Sequence, residues 1–437
     1  MDRLAEAEGV AVLLVGDTAA GGLVEGLAGL ALCGAEGRAF YFPLARPEGA
    51  ALEQERLIPA LASLLGGPAA PSWLGRETKR TQSWLAEQGE PLALPGFDVE
   101  LAAFLVDPAG VHSTAALADR YLGRKLRGLE ELTGRGARAV AVETLALEEV
   151  AAWAGEEVAA LRALEEPLRS RLATDDLQAL LEDVEIPLTA VLSAMERAGV
   201  RVDEEVLAAL SGEYADALAR IEARIFERAG ERFNVGSPKQ LQRILFEKLK
   251  LPAIKRTKTG FSTDESVLEQ LAVHHDLPAD ILAYRRLAKL KSTYVDALPP
   301  LVHAGTGRIH PTFHQTGAAT GRLSSSHPNV QNIPIRSLEG VRIREAFVPA
   351  EGQLLLSADY SQVELRILAH FSGDESLIEA FRADEDVHRR TAAEVAGIRP
   401  EEVSEDQRAH AKAINFGIIY GSSAFGIANQ LKIAQGE

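Results

Sequence analysis

The sequence predicts a multidomain chain that opens as α/β and continues as α+β. Three observations carry this. At 437 residues the chain exceeds what one hydrophobic core serves, so roughly two to four domains are expected. Apolar runs at 10–15 (VAVLLV) and 39–43 (AFYFP), with the turn-forming stretches AAGG and GAEGR nearby, read as buried strands among Ala- and Leu-rich helical segments. From about residue 185 the apolar spacing turns helical, then gives way to polar loops and one more apolar strand, QLLLSA at 353–358.

Composition narrows the function classes. Hydrophobic residues make up 46% and charged residues 25%, as expected of a soluble globular protein. The single cysteine, Cys33, excludes an intramolecular disulfide and fits a reducing cytosol. The opening MDRLAEAEG lacks the basic-then-apolar order of a signal peptide, and no apolar run is long enough for a bilayer. A cytoplasmic protein without a membrane partner is expected. The net charge of −17 argues against a nucleic-acid partner until its distribution is considered. Residues 1–200 hold 17 Lys+Arg against 31 Asp+Glu, and residues 201–437 hold 29 against 32. Within 232–291 there are 12 basic and 6 acidic residues, a local basic module.

Beyond the first 180 residues, LLEDVEIPLTAVLSAMERAGVRVD predicts a helix whose apolar face is Ile186, Leu188, Val191, Leu192 and Met195. In SPKQLQRILFEKL, Ser237 caps, Pro238 takes the first helical position, and Leu241, Leu245 and Leu249 form a stripe. KRTKTGFST (255–263) reads as a basic loop and ILAYRRLAKLKSTYV (281–295) as a helix. Residues 314–336 read as a donor-rich loop before the strand 353–358.

Four stretches carry chemistry. In QRAHAKAINFGIIYG (407–421), Arg408, Lys412, Phe416 and Tyr420 recur every fourth residue and share a slowly wrapping helical stripe. Cations near the N-terminal end suit a polyphosphate, and the aromatics beyond suit a base. An amphipathic helix with core aromatics and snorkelling cations has the same spacing. TGRLSSSHPNVQNIPIR (320–336) offers hydroxyls, amides and arginines, with Pro328 and Pro334 blocking a continuous helix. It suits minor-groove edges, whose acceptors are nearly alike for all base pairs, or is a polar surface loop. Lys255, Arg256 and Lys258, then Lys289, Lys291, Ser292 and Thr293, suit phosphates or form a solvated face. Asp359, closing the strand of LLLSADYSQVELR, suits a divalent cation or caps the next helix.

Together and in this order, TGRLSSSHPNVQNIP, DYSQVELR and KAINFGIIYG resemble bacterial family A DNA polymerases over roughly residues 185–437, with a weaker likeness before that. The resemblance implies an exonuclease-like domain at 1–180, a helical thumb at 181–305, a partial palm at 306–385 and partial fingers at 386–437. It implies template-directed DNA synthesis by two-metal phosphoryl transfer, with two Mg²⁺ ions, primer–template DNA and deoxynucleoside triphosphates as partners, and a monomer. Asp359 would bind both metals, with the Tyr360 backbone completing one site. Glu364 would exclude a 2′-hydroxyl, and Gln362 would lie at the nucleotide. Arg408, Lys412 and His388, from EDVHRRTAAEV, would grip the triphosphate. Phe416 would stack near base and sugar, and Tyr420 would sit at the template base. Lys289, Lys291, Ser292, Thr293, Arg322, Asn329, Gln331, Asn332 and Arg336 would contact the duplex.

Departures from the family pattern qualify these expectations. Gln407 stands where a second arginine is common, and His327 where aspartate is usual. The second palm carboxylate, in a His-Asp-Glu motif, is expected beyond Glu437, and no 5′-nuclease domain is expected before residue 1. In the N-terminal domain, VGDTAAGG keeps Asp17 but puts Ala19 at a ligand position, Thr81 replaces an expected aspartate, and Glu157 stands at the last carboxylate position. Asp98–Glu100 and Asp183–Glu185 have the spacing of a metal pair but are expected away from a buried strand end. No editing is therefore expected. A non-catalytic primer–template-binding fragment is the alternative, and a single-subunit RNA polymerase is disfavoured by Glu364 and TGRLSSS.

Overall fold

The N-terminal apolar run becomes β1 (Gly9–Gly16), the middle of a five-stranded sheet in the computed structural model of the chain. The structure describes residues 4, 8–16, 21–24, 26–45, 52, 54–66, 70–90, 92–257, 260–335 and 337–431. The sheet runs β3 (Ala39–Pro43), β2 (Leu27–Cys33), β1, β4 (Ser72–Gly75), β5 (Phe97–Asp98). β1–β2 and β2–β3 are antiparallel, and β1–β4 and β4–β5 are parallel. β2 is buried at every position, which requires cover on both faces. Alternate residues of β1 supply the two sides. Val10 and Val12 meet Leu57, Leu61 and Leu65 of α1 (Gln54–Gly66) and Trp84 of α2 (Thr78–Glu87). Ala11 and Val15 join the cluster of Val158, Leu161, Leu164 and Leu168 from α4 (Leu147–Thr174), the helix that crosses the other face; α3 (Val99–Val106) lies beside it.

The strands at 10–15 and 39–43 stand as expected. Asp98 does not. It ends β5, is 2% exposed and caps α3. Its Oδ1 accepts N–H bonds from Glu100 (2.9 Å) and Leu101 (3.0 Å), and Oδ2 accepts from the Thr78 amide (2.8 Å) and hydroxyl (2.7 Å). So Asp98 does occupy a buried strand end, where it ties α3 to α2. Burial still raises its pKa against those bonds.

The next helix, α5 (Ile186–Ala198), forms where expected but buries a different face. Val191 and Met195 are exposed, and the inward positions are Ile186, Thr189, Leu192, Ser193 and Glu196. Polar residues can face inward because α2 offers partners: Ser83 Oγ bonds Ser193 Oγ at 2.8 Å, and Lys79 pairs with Glu196. Glu196 also accepts the Phe313 amide at 2.7 Å.

β6 (Arg201–Val202) leads into α6 (Glu204–Ala229), which serves two cores. Its first half packs Leu207, Leu210 and Tyr214 with Leu290, Tyr294 and Ile343, and its second half packs Ile225 with Leu241, Leu245, Leu268 and Ile281. Ser237 caps and Pro238 leads the short helix Pro238–Gln242, with Leu241 and Leu245 buried as expected. The expected basic loop is a tight hairpin of β7 (Arg256–Thr257) and β8 (Gly260–Phe261); Lys258 lies outside the described residues. α7 (Asp276–Leu290) follows. The expected loop 314–336 likewise contains a hairpin strand, β10 (Ser324–Ser326), paired with β9 (Thr312–His314). After α8 (Leu338–Glu345), β11 (Phe347–Val348) pairs with β6.

The chain divides into two compact units, 1–354 and 355–437. The second holds α9 (Val363–Ser372), α10 (Glu375–Arg382), α11 (Val387–Ala396), α12 (Glu405–Ile419) and α13 (Ala424–Leu431). The expected strand before Asp359 is not there: residues 353–360 have no ladder partner among the described residues, and Leu354 and Leu356 are 92% and 93% exposed. Hydropathy marks such a run as strand material, yet a strand exists only where a neighbour accepts its backbone bonds. Among the described residues, no helix is long and apolar enough to cross a membrane.

Two stability predictions follow from buried charge. Lys79→Ala strands the Glu196 carboxylate, whose side chain is 3% exposed, and breaking such a pair costs on the order of 3 kcal/mol. Denaturant unfolding should show the loss, and adding Glu196→Gln should recover most of it; an unchanged midpoint in the single variant contradicts the account. Glu100, beside Arg76 (3.3 Å), is driven by burial from its ordinary 4.5 up to about 7, with Arg76 offsetting part. The folded state thus holds this proton more tightly than the unfolded chain. The stabilisation is full below pH 4.5 and is lost as pH rises through about 7. Glu100→Gln should remove that pH-dependent loss, on the order of 1–3 kcal/mol, and stabilise the protein above neutrality. A constant difference between variant and parent from pH 4.5 to 8 would contradict the assignment.

Candidate functional site

Within residues 355–437, α12 presents the stripe that its spacing predicts. Ser404 and Gln407 form a reciprocal capping box: Gln407 N–H donates to Ser404 Oγ (3.2 Å) and Ser404 N–H to Gln407 Oε1 (2.9 Å). Gln407 therefore has a structural task of its own. One residue on, Arg408 donates from Nε to Asp386 Oδ2 at 2.6 Å. Asp386 also caps α11, accepting the His388 and Arg389 amides at 3.0 and 3.2 Å. Against the burial that raises it, the Arg408 bond and these amides hold the Asp386 carboxyl below its ordinary value.

Lys412 is exposed and has neither hydrogen bond nor ion pair among the described residues. Phe416 is half-buried, its ring centroid 5.9 Å from that of His388. His388 is 2% exposed, and burial lowers its pKa, with Asp386 opposing and Arg408 and Lys412 adding to the shift. Asn415 Nδ2 lies 3.1 Å from both His388 Nδ1 and Thr391 Oγ1. Tyr420 sits just past the last turn of α12 and donates its hydroxyl to Glu364, 2.9 Å from either carboxylate oxygen. The structure thus gathers Arg408, His388 and Phe416, and joins Glu364 to Tyr420.

Asp359 and Tyr360 lie on the exposed segment before α9, and neither caps it. The cap position belongs to Gln362, in the left-handed region (φ 52°), with its Oε1 buried and without a hydrogen-bond partner. Among the described residues, no group of three or more His, Cys, Asp or Glu could hold a metal. Asp359 and the Tyr360 carbonyl could hold a divalent cation only jointly with oxygens from a substrate.

A second group lies within residues 1–354. A cleft of about 820 Å³ gathers Lys289 and Thr293 from the end of α7 and the turn after it, and Asn329 and Asn332 from the loop after β10. It also holds Arg285, Arg286 and Tyr294, which were not among the expected contacts. Arg286 was recoverable from the Tyr-Arg-Arg-Leu run, since it sits one turn before Lys289 and Leu290. Not all the expected donors are free. Lys291 is clamped by Asp296 (2.7 and 2.8 Å) and Ser211 (2.9 Å). Asn329 Oδ1 accepts the Gln331 amide (3.1 Å) and the Ser325 hydroxyl (3.3 Å), and Gln331 Nε2 donates to Leu323 O (3.0 Å). Ser292 Oγ donates to Lys289 O (3.3 Å), and Arg322 is exposed. Arg336, Asp17 and Ala19 lie outside the described residues. Thr81 and Glu157 are both buried, Glu157 with its pKa raised by burial.

Comparison with known proteins gives these two groups a frame. The family model for DNA polymerase family A matches residues 204–437. DNA polymerase I of Pseudomonas aeruginosa is 45% identical over 413 residues, covering 92% of this chain and 45% of that protein. DNA polymerase I of Geobacillus stearothermophilus is 42% identical over 421 residues, covering 94% of this chain and 46% of that protein. The chain therefore spans about half the length of the curated relatives it matches. A solved structure described as the POL domain of Pol1 from M. smegmatis, in complex with DNA primer-template and dNTP, is 37% identical with a TM-score of 0.83, covering 100% of this chain and 72% of that one. Both groups of residues fall within or beside the matched span, and with that match extending over more than half its length the chain belongs to DNA polymerase family A.

Proposed function

We propose that this chain grips primer–template DNA and a deoxynucleoside triphosphate for template-directed DNA synthesis, in which a primer 3′-hydroxyl attacks the α-phosphate. The observation that carries the reading is α12, where Arg408, Lys412 and Phe416 line one stripe beside the buried His388. In this reading residues 1–180 are an exonuclease-like scaffold, 181–305 the thumb, 306–385 palm and 386–437 fingers. The mixed five-stranded sheet of the scaffold supports the first assignment. A cytoplasmic setting fits the one cysteine, which is free and buried.

Each side chain then has a physical task. Arg408, already oriented by Asp386, offers its remaining N–H groups to phosphate oxygens, and Lys412 adds a mobile point charge. Phe416 offers a face for stacking. Glu364, held by the Tyr420 hydroxyl, occupies space that a 2′-hydroxyl would need, so deoxyribose is favoured by exclusion. In the α7 cleft, Lys289 and Arg286 meet phosphates, while Asn332 and Asn329 offer amides to minor-groove acceptors. Asp359 and the Tyr360 carbonyl would hold Mg²⁺, which when bound neutralises charge on the attacking and leaving oxygens.

A binding-only reading is favoured by one observation, the lack of any three-member acidic or His/Cys cluster among the described residues. The 437-residue polypeptide should bind a primer–template duplex, with affinity falling about a hundredfold between roughly 50 and 200 mM salt if about four phosphates are neutralised. On the binding-only reading it should add no nucleotides, because Asp359 alone cannot fix both oxygens of an in-line displacement. Extension by the purified polypeptide that Asp359→Ala abolishes would establish the catalytic reading for this chain instead. Binding with little salt dependence would remove the basic cleft from the interface.

The N-terminal domain should not edit. With Ala19 and Thr81 at ligand positions, a labelled mismatched primer should stay full length in Mg²⁺ or Mn²⁺. Stepwise shortening that disappears in Asp17→Ala would overturn this.

A further inference from the structure

We infer that Asn415 fixes the tautomer of His388, so that Nε2 carries the ring proton and is the donor His388 presents to a polyphosphate. The second half rests on the nucleotide reading above; the first does not.

The direction of the relay follows from counting protons. The Val387 carbonyl can only accept, and the Thr391 hydroxyl donates to it at 2.9 Å. With its one proton spent there, Thr391 Oγ1 can only accept from Asn415, 3.1 Å away. The Asn415 atom at that position is therefore the amide nitrogen, and its second hydrogen faces His388 Nδ1 at 3.1 Å. Nδ1 must meet it with a lone pair, which leaves the proton of a neutral ring on Nε2. Nε2 makes no hydrogen bond among the described residues. The groups around the ring favour the neutral form: burial lowers its pKa, Arg408 and Lys412 lower it further, Asp386 opposes, and Phe416 is apolar.

The choice of tautomer matters because a phosphate oxygen only accepts. With the proton on Nε2, the buried ring offers a donor already oriented by two helices, His388 and Thr391 from α11 and Asn415 from α12. The other tautomer would aim a lone pair at the oxyanion. Asn415 touches no phosphate in this scheme; it is a positioning residue.

The tautomer can be read directly in the 437-residue chain labelled with ¹⁵N-histidine, with His388 assigned by its loss in His388→Gln. The parent should show a pyridine-type Nδ1 and a pyrrole-type Nε2. Asn415→Asp replaces the donor with an acceptor and should reverse that pattern at alkaline pH, where the same spectrum reports a single ring proton. Thr391→Ser should keep the parent pattern, and Thr391→Val, which frees the Asn415 amide to turn, should mix the two. A pyrrole-type Nδ1 in the parent, or a pattern indifferent to Asn415→Asp, overturns the inference. Binding of inorganic tripolyphosphate and of dATP at the same pH tests the purpose. Asn415→Asp should weaken both by about tenfold or more, the scale of one hydrogen bond to a charged acceptor. Because aspartate also repels phosphate, the substitution is repeated in His388→Ala, where its effect should largely vanish if it acts through the ring. Equal losses in both backgrounds overturn the positioning role. The expected tautomer shifts together with a His388→Ala that binds normally would instead overturn the assignment of His388 to the nucleotide.

Discussion

Glu196 is a carboxylate at the end of a helix, 3% exposed, and a charge so placed must be neutralised and fully bonded or the local fold is lost. Its partners come from widely separated parts of the chain: Lys79 from the first turn of α2 and the Phe313 amide from β9. The Glu196 carbonyl adds His310, whose Nδ1 donates to it at 2.7 Å and whose Nε2 therefore accepts the Thr306 hydroxyl at 2.7 Å. One residue thus joins the N-terminal sheet domain, α5 and the hairpin that carries the polar loop 320–336. The approach is close enough to dictate Gly199 (φ 58°), where a Cβ would meet the Ile309 carbonyl at 2.6 Å. The polar side chains of that loop inherit their position from a buried ion pair well away from them in sequence.

That junction also explains where sequence reading of the fold stopped. β1, β3 and the Ser237–Pro238 helix start were legible because each depends on local pattern: alternation, an apolar run, a cap followed by proline. The inward face of α5 was not, since a hydropathy stripe assigns Val191 and Met195 to the core and Glu196 to water. The assignment inverts once α2 supplies Lys79 and Ser83. Asp98 was misread for a related reason. Its four hydrogen-bond donors come from Thr78, Glu100 and Leu101, and the Thr78 pair is invisible until β4 and β5 are known to be neighbours. The apolar segment before Asp359 fails in the opposite sense: its residues are strand formers, but pairing is a property of two segments, and one sequence pattern specifies only the first.

In the site, helical spacing predicted α12 and its stripe, and the capping preference of aspartate before an apolar residue could have flagged Asp386. What spacing could not supply is the pairing state of each cation. Arg408 and Lys412 look equivalent in sequence, yet one is bonded to Asp386 and the other is unpaired among the described residues. Lys291, counted with Lys289 as a phosphate contact, is spent on Asp296 and Ser211. Each partner lies on a different turn or a different helix, so the difference emerges only with tertiary structure.

The pairing state bears directly on how the two cations of α12 can act. A long side chain that is ordered only on binding gives up part of the interaction to lost rotamer freedom, about 0.5–1.5 kcal/mol for one immobilised residue. In the proposed phosphate-binding role Lys412 would bear that cost. Arg408 has met it in folding, because Asp386 accepts Nε and leaves the terminal N–H groups in a fixed plane. The same carboxylate caps α11 through the His388 and Arg389 amides, so the start of that helix and the first turn of α12 share one anchor. Arg408 and the start of the His388 helix are therefore tied to one carboxylate, beside an exposed Lys412 without a partner among the described residues. In the proposed phosphate-binding role, the paired guanidinium would suit one phosphate geometry, while the long stem of Lys412 would let its ammonium adapt.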